Sequence, residues 1–329
     1  MKQLFQPTRM IREAGENGKG HGLGKEILIF LLVFFVAQTL VSIPVTVATL
    51  VSVFTSEDVI NALMSATQTG DVSEYMEQVM SAVNEMPDWV MLVQLFATAL
   101  ATLTVILFCK KIEKRSVASM GLRRGHFWRE YGLGSLIGIL LISACVGICV
   151  FSGSLTLAPS AFSPVMWVLF LLGFLVQGMS EEVMCRGYMM VSVSRKNALW
   201  LAVLTNSIMF ALLHIFNPGF GVLPFLNIVL FGILESVYVL KRGDLWGACA
   251  IHSLWNFFQG NIYGISVSGT GAGASPLSAT VNESMAWLNG GSFGIEGGVA
   301  VTAVIALAIL AVIFLLPSNP DEFAVEETD

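Results

Sequence analysis

Long apolar runs, separated by short charged connections, recur from residue 26 to residue 316. A helix needs about 20 apolar residues, at 1.5 Å each, to cross a bilayer. Eight runs approach that length: 26–54, 89–109, 131–151, 164–193, 198–215, 222–240, 244–263 and 299–316. The pattern predicts an all-α, polytopic transmembrane helical bundle of about eight spans. Pro44 predicts a kink in the first span. The fourth run is longer than a bilayer requires. Between the first two runs, Val59, Leu63, Met64, Tyr75, Val79 and Val83 are spaced for the apolar face of a surface helix. Gly134 and Gly138, four apart, suit a close helix–helix approach. Gly269 to Gly273 alternates glycine with small residues; framed by no strand or helix, it reads as a flexible outer loop rather than a phosphate cradle. Asn282-Glu283-Ser284 is a chance-level match to a glycosylation sequon.

Composition agrees with the runs. Of 329 residues, 55% are hydrophobic and 12% charged, about half the charged share of a soluble domain. The five cysteines lie in or beside apolar runs, which predicts lipid-buried packing rather than a disulfide framework. The polar head of about 25 residues is too long for the n-region of a cleavable signal peptide. Charge sets the orientation, because cytoplasmic loops are enriched in Lys and Arg. Basic residues precede span one (Lys2, Arg9, Arg12, Lys19, Lys25) and join spans two and three (Lys110, Lys111, Lys114, Arg115, Arg123, Arg124, Arg129). They also follow span four (Arg195, Lys196) and span six (Lys241, Arg242). An eight-span chain with both termini cytoplasmic places all of them inside except Arg186, which falls within a span. The segments 56–88 and 261–298 carry acids and no base.

Three polar clusters interrupt the apolar runs. The first, Met179 to Arg186, contains Glu181, Glu182 and Arg186. A charge at mid-bilayer costs roughly 2.5 to 3.5 kcal/mol on insertion scales, so such groups are functional candidates. Residues four apart share a helix face, so Glu182 can pair with Arg186. Glu181 points about 100° away and stays free. The second cluster is Phe210-Ala-Leu-Leu-His214, and the third is His252-Ser-Leu-Trp-Asn256. Counted inward from the basic ends, Glu181 lies about 20 Å deep, His214 about 25 Å, and His252 and Asn256 about 13 to 20 Å. His21 and His126 fall in basic segments and are expected to be solvated.

A carboxylate in a low-dielectric site can serve as a general base toward water. A histidine beside it can share the proton. A second histidine and an asparagine amide can donate to an oxyanion. The competing readings are an ion-pair lock between helices for Glu181, Glu182 and Arg186, and hydrogen-bonded packing for each histidine. Cys185, ringed by acids, is a poor rival nucleophile. His214, His252 and a glutamate would also suit a divalent metal such as zinc, although HExxH is absent.

Glu-Glu-x-x-x-Arg, Phe-x-x-x-His and His-x-x-x-Asn, in this order on separate apolar helices, resemble the CPBP family of CAAX proteases and bacteriocin-processing enzymes, also called the Abi family. The likeness covers roughly residues 164–260. It implies an intramembrane endopeptidase, metalloprotease-like in its older description, that requires no cofactor if a glutamate activates the water. By motif, Glu181 and His214 would activate water, His252 and Asn256 would stabilise the oxyanion, and Glu182, Arg186 and Phe210 would shape the site. The expected partners are a peptide or membrane-protein substrate and the lipid bilayer, with no nucleic acid; nothing in the residues points to a prenyl group. The expected location is the cell membrane, multi-pass. The organisation read from the sequence is a cytoplasmic segment at 1–25, two extra spans with an acidic outer loop and a basic linker at 26–130, a protease core at 131–316 and an acidic tail at 317–329. A non-catalytic immunity or scaffold protein of the same fold is the alternative. An ion or proton transporter fits less well, because no inverted repeat is visible. Glu235 on span six is unassigned, either supporting the site or lining its cavity.

Overall fold

The computed structural model describes residues 6–16, 20–84, 86–123 and 125–319. Lys2, Lys19, Arg124 and the acidic tail from residue 320 lie outside the described residues. The chain begins with α1 (Arg9–Glu16), α2 (Leu23–Phe54), α3 (Glu57–Thr69), α4 (Ser73–Asn84), α5 (Asp88–Lys111) and α6 (Phe127–Phe151). Strand β1 (Leu155–Pro159) leads to α7 (Pro164–Glu182), which passes through a π-helical segment, Val183–Met190, into α8 (Val191–Ser194). Then follow α9 (Leu199–Leu212), α10 (Val222–Arg242), α11 (Trp246–Asn261), β2 (Leu277–Val281), α12 (Ala286–Asn289) and α13 (Val299–Phe314).

Helices thus stand at all eight apolar runs. Five are long and apolar enough to cross a membrane: α2, α5, α6, the α7–α8 unit and α10. The helices α9, α11 and α13 have 14, 16 and 16 residues. Helix α2 continues through Pro44. Its Leu32, Phe35, Ile43 and Val47 are each more than half exposed. In water that would be an adhesive patch; in a bilayer it is the lipid-facing surface.

Glycines set how closely the central helices meet. A Cβ on Gly134 would collide with the Gly247 carbonyl, and one on Gly138 with the Ile251 carbonyl, so α6 lies directly against α11. A Cβ on Gly178 would collide with Ser253, which brings α7 against the other side of α11. The close approach expected at Gly134 and Gly138 is therefore present, and its partner is the helix that carries His252 and Asn256.

Three expectations need correction. The segment after α2 is two helices rather than one, because Gly70 ends α3 with a left-handed φ of 75°. Its buried face is Val59, Ala62 and Ala66, while Leu63 and Met64 are exposed. The outer segment is also fastened rather than flexible. Strand β2 pairs antiparallel with β1, from Leu155 opposite Val281 to Pro159 opposite Leu277. Asn217 donates to the Ser268 carbonyl at 2.8 Å, and a Cβ on Gly273 would strike the Phe170 ring. Asn282 Oδ1 accepts from the Ser284 amide at 3.1 Å, capping a turn. Finally, His21 is not simply solvated: its amide donates to Glu26 Oε1 at 2.8 Å, and its Nδ1 lies 3.3 Å from the same oxygen.

At the basic end, ion pairs tie the helices together. Arg195 reaches Glu113 at 2.7 Å and Glu26 at 3.6 Å, and Arg115 reaches Glu113 at 3.1 Å. Arg242 pairs with Glu130 across α10 and α6. Buried pairs of this kind add little net stability over apolar packing, but breaking one is costly.

Candidate functional site

Glu182 and Arg186 form the expected pair one turn apart. Arg186 Nη1 donates to Glu182 Oε1 at 2.8 Å, and both side chains are fully buried. The pair straddles the start of the π-helical segment. Such segments disturb the regular i→i−4 ladder and occur often at functional sites. Arg115 supports this one, donating from Nη2 to the Gly187 carbonyl at 3.0 Å and from Nη1 to Ser192 Oγ at 2.9 Å.

The close α7–α11 contact at Gly178 puts His252 beside both glutamates. His252 Nδ1 lies 2.8 Å from Glu182 Oε1, and its Nε2 lies 3.5 Å from Glu181 Oε2. Because a carboxylate only accepts, Nδ1 carries the proton in the first contact. Glu182 is thereby committed to Arg186 and His252. Glu181 keeps more freedom: its side chain is 32% exposed where that of Glu182 is fully buried, although Oε2 of each carboxylate is buried without a hydrogen-bond partner. Two adjacent carboxylates thus occupy different surroundings, one fully buried and ion-paired to Arg186, the other lining the cavity and partly exposed.

Gln177, one turn before Glu181, joins the partly exposed carboxylate to the asparagine. Its Nε2 donates to Glu181 Oε1 at 2.6 Å, and its Oε1 accepts from Asn256 Nδ2 at 3.1 Å. Sequence reading missed Gln177. An i, i+4 glutamine on the glutamate's own helix face was the available signal.

His214 lies in the turn just after α9 rather than within the helix. Its Nδ1 is 2.8 Å from the Phe210 carbonyl. A carbonyl only accepts, so Nδ1 holds a proton in this contact. The Phe210 ring sits under the Arg186 guanidinium at 4.7 Å and meets the imidazoles of His214 and His252 edge to face at 4.9 and 5.9 Å. One aromatic side chain therefore touches the buried cation and both histidines. Phe231, also unforeseen, packs edge to face on His252 at 5.3 Å.

Glu181, His214, His252 and Asn256 all line one cavity of about 770 Å³, as do Gln177, Phe210 and Cys185. His214 is not among the hydrogen-bond or ion-pair partners of Glu181; the imidazole paired with it is His252. Glu235 does not line the cavity. It is fully buried beneath it, interacts electrostatically with Glu182 and Arg186, and has no hydrogen-bond partner on either oxygen. Among the described residues, no three His, Cys, Asp or Glu side chains are grouped to hold a metal ion. Both His252 nitrogens face carboxylates.

Residues 161–258 match the family described as type II CAAX prenyl endopeptidase Rce1-like. No curated protein and no solved structure matches the chain. The matched segment holds Glu181, Glu182, Arg186, Phe210, His214, His252 and Asn256, the same residues that the fold gathers around one cavity. Through this segment, about 30% of the chain, the protein is similar to the type II CAAX prenyl endopeptidase family.

Proposed function

We propose that the protein is an intramembrane endopeptidase in which Glu181 activates the attacking water. The observation that carries this reading is the cavity-lining Glu181, whose side chain is a third exposed and whose buried, unbonded Oε2 lies 3.5 Å from His252 Nε2, beside a neighbouring carboxylate already committed to Arg186 and His252.

The steps use this chain's own side chains. Gln177 holds Glu181 Oε1, and Oε2 has no hydrogen-bond partner. Water bound between Glu181 and Nε2 of His214 loses a proton to Glu181 as its oxygen bonds to the scissile carbonyl carbon. The carbonyl's π electrons move to its oxygen. With a proton on both nitrogens, His252 donates to Glu182 through Nδ1 and to that oxygen through Nε2, and Asn256 Nδ2 supplies a second donor. Such preorganised donors are worth about 10²- to 10³-fold each in rate. The C–N bond then breaks, and Glu181 returns its proton to the leaving nitrogen.

The test is cleavage of a peptide library by protein purified into lipid. Glu181→Gln keeps the shape and loses the base, so turnover should fall by about 10²- to 10⁴-fold, the usual span for a general base. Unchanged turnover overturns the reading.

A further inference from the structure

Among the described residues, the basic clusters gather at one end of the bundle. Glu26 at the start of α2, Glu113 and Arg115 after α5, and Arg195 after α8 meet there in one buried network. Glu130 at the start of α6 and Arg242 at the end of α10 meet in another. Enrichment of Lys and Arg marks the cytoplasmic side. The opposite end is built from the connections α2–α5, α6–α7, α9–α10 and α11–α13.

The catalytic cavity is lined only by that opposite end and by helix interiors. Its lining includes Val83, Met86, Pro218, Thr270, Gly271 and Ala272, all exposed at the rim. Among the described residues, none from 110–130, 194–198 or 241–246 lines it. Below Glu181, the path toward the basic end is filled by the buried Glu182–Arg186 pair and by Arg115 on the Gly187 carbonyl. The cavity is therefore a cul-de-sac with its floor toward the basic loops and its mouth at the far face. Its charged lining groups are Glu181 and Glu296, set among Gln38, Gln94, Asn217 and Asn227.

From this we infer that the cavity admits its peptide from the extracytoplasmic face, as an apolar segment without a free carboxylate. The inference rests on the protease reading only for what then happens to the peptide; the route of access stands on the mouth, the floor and the side on which the basic loops lie. An acidic chain end would be driven against two carboxylates in a low-dielectric pocket, whereas an internal or amidated segment meets amides and apolar walls.

Cysteine accessibility tests it. The five native cysteines are buried, which keeps background labelling low. Ala272→Cys and Met86→Cys place thiols at the mouth, and His126→Cys places one at the basic end. A membrane-impermeant maleimide should label both mouth variants in right-side-out vesicles, and His126→Cys only after inversion. An amidated apolar peptide added outside should slow labelling of Ala272→Cys and be cleaved by the unlabelled enzyme. Labelling of the mouth variants only in inverted vesicles overturns the inference, as does cleavage only of peptide supplied from the basic side. If the peptide protects Ala272→Cys from outside but is never cleaved, the route stands and the protease reading fails.

Discussion

Glu181 and Glu182 are neighbours in the chain and share His252, but they differ in their other partners and in burial. Glu182 accepts from Arg186 and His252 with no exposed surface, whereas Glu181 is held by Gln177 at one oxygen, has no hydrogen bond at the other and is a third exposed. This predicts separate consequences. Arg186→Ala strands a buried carboxylate, so it should cost about 3 to 5 kcal/mol of stability, read as a lowered unfolding midpoint in detergent. Glu181→Gln should leave that midpoint nearly unchanged while abolishing turnover. Gln177→Leu removes a hydrogen bond to a charged group, worth about 1.5 to 3 kcal/mol. It should lower kcat by roughly ten- to a hundredfold with little change in KM, since it frees Glu181 and Asn256 without closing the cavity. Steady-state kinetics on a peptide found for the wild type checks this, and equal losses in Gln177→Leu and Gln177→Asn would point to packing instead.

At the scale of elements, the site depends on how near α7 and α11 can come. Gly178 allows the contact one turn before Glu182, and Gly134 and Gly138 press α6 on the opposite side of α11. Gly178→Ala should strain this contact by about 1 to 3 kcal/mol and move His252 away from both glutamates. Activity should therefore fall more than stability does, which activity assays and melting curves on one preparation can separate. The π-helical segment is the second device. Arg115 on the basic linker holds its Gly187 carbonyl, so a residue far from the cavity supports the turn that carries Glu182 and Arg186. Arg115→Ala should loosen that turn, and hydrogen exchange across residues 183–190 should speed up.

Across the whole molecule, α2 and α5, which lie outside the matched segment, are part of the cavity's enclosure. Phe34, Gln38 and Val41 of α2 and Gln94, Leu95 and Thr98 of α5 line the same cavity as the family segment. Charge is uneven along this cavity, with carboxylates at Glu181 and Glu296 and amides between them. A peptide ending in a free carboxylate near the scissile bond should therefore be a poorer substrate than its C-terminal amide, by about tenfold for each 1.4 kcal/mol of repulsion. Competition between the paired peptides at pH 7 measures this, and equal turnover would show that the charges are screened.

Much of this was legible in the chain itself. Apolar runs placed every long helix, because a bilayer imposes length and composition on each span separately. The Glu182–Arg186 pair followed from helix geometry alone, since both partners share one face. Tertiary structure decided what depends on contacts between distant segments. It paired β1 with β2, fastened the glycine-rich loop, seated His252 rather than His214 beside Glu181, and let Gln177 bridge two candidate groups. Local periodicity says which face of a helix a residue occupies, but not which helix that face will meet. That choice rests on glycine contacts and buried ion pairs between residues as far apart as Glu26 and Arg195, and these exist only once the bundle has closed.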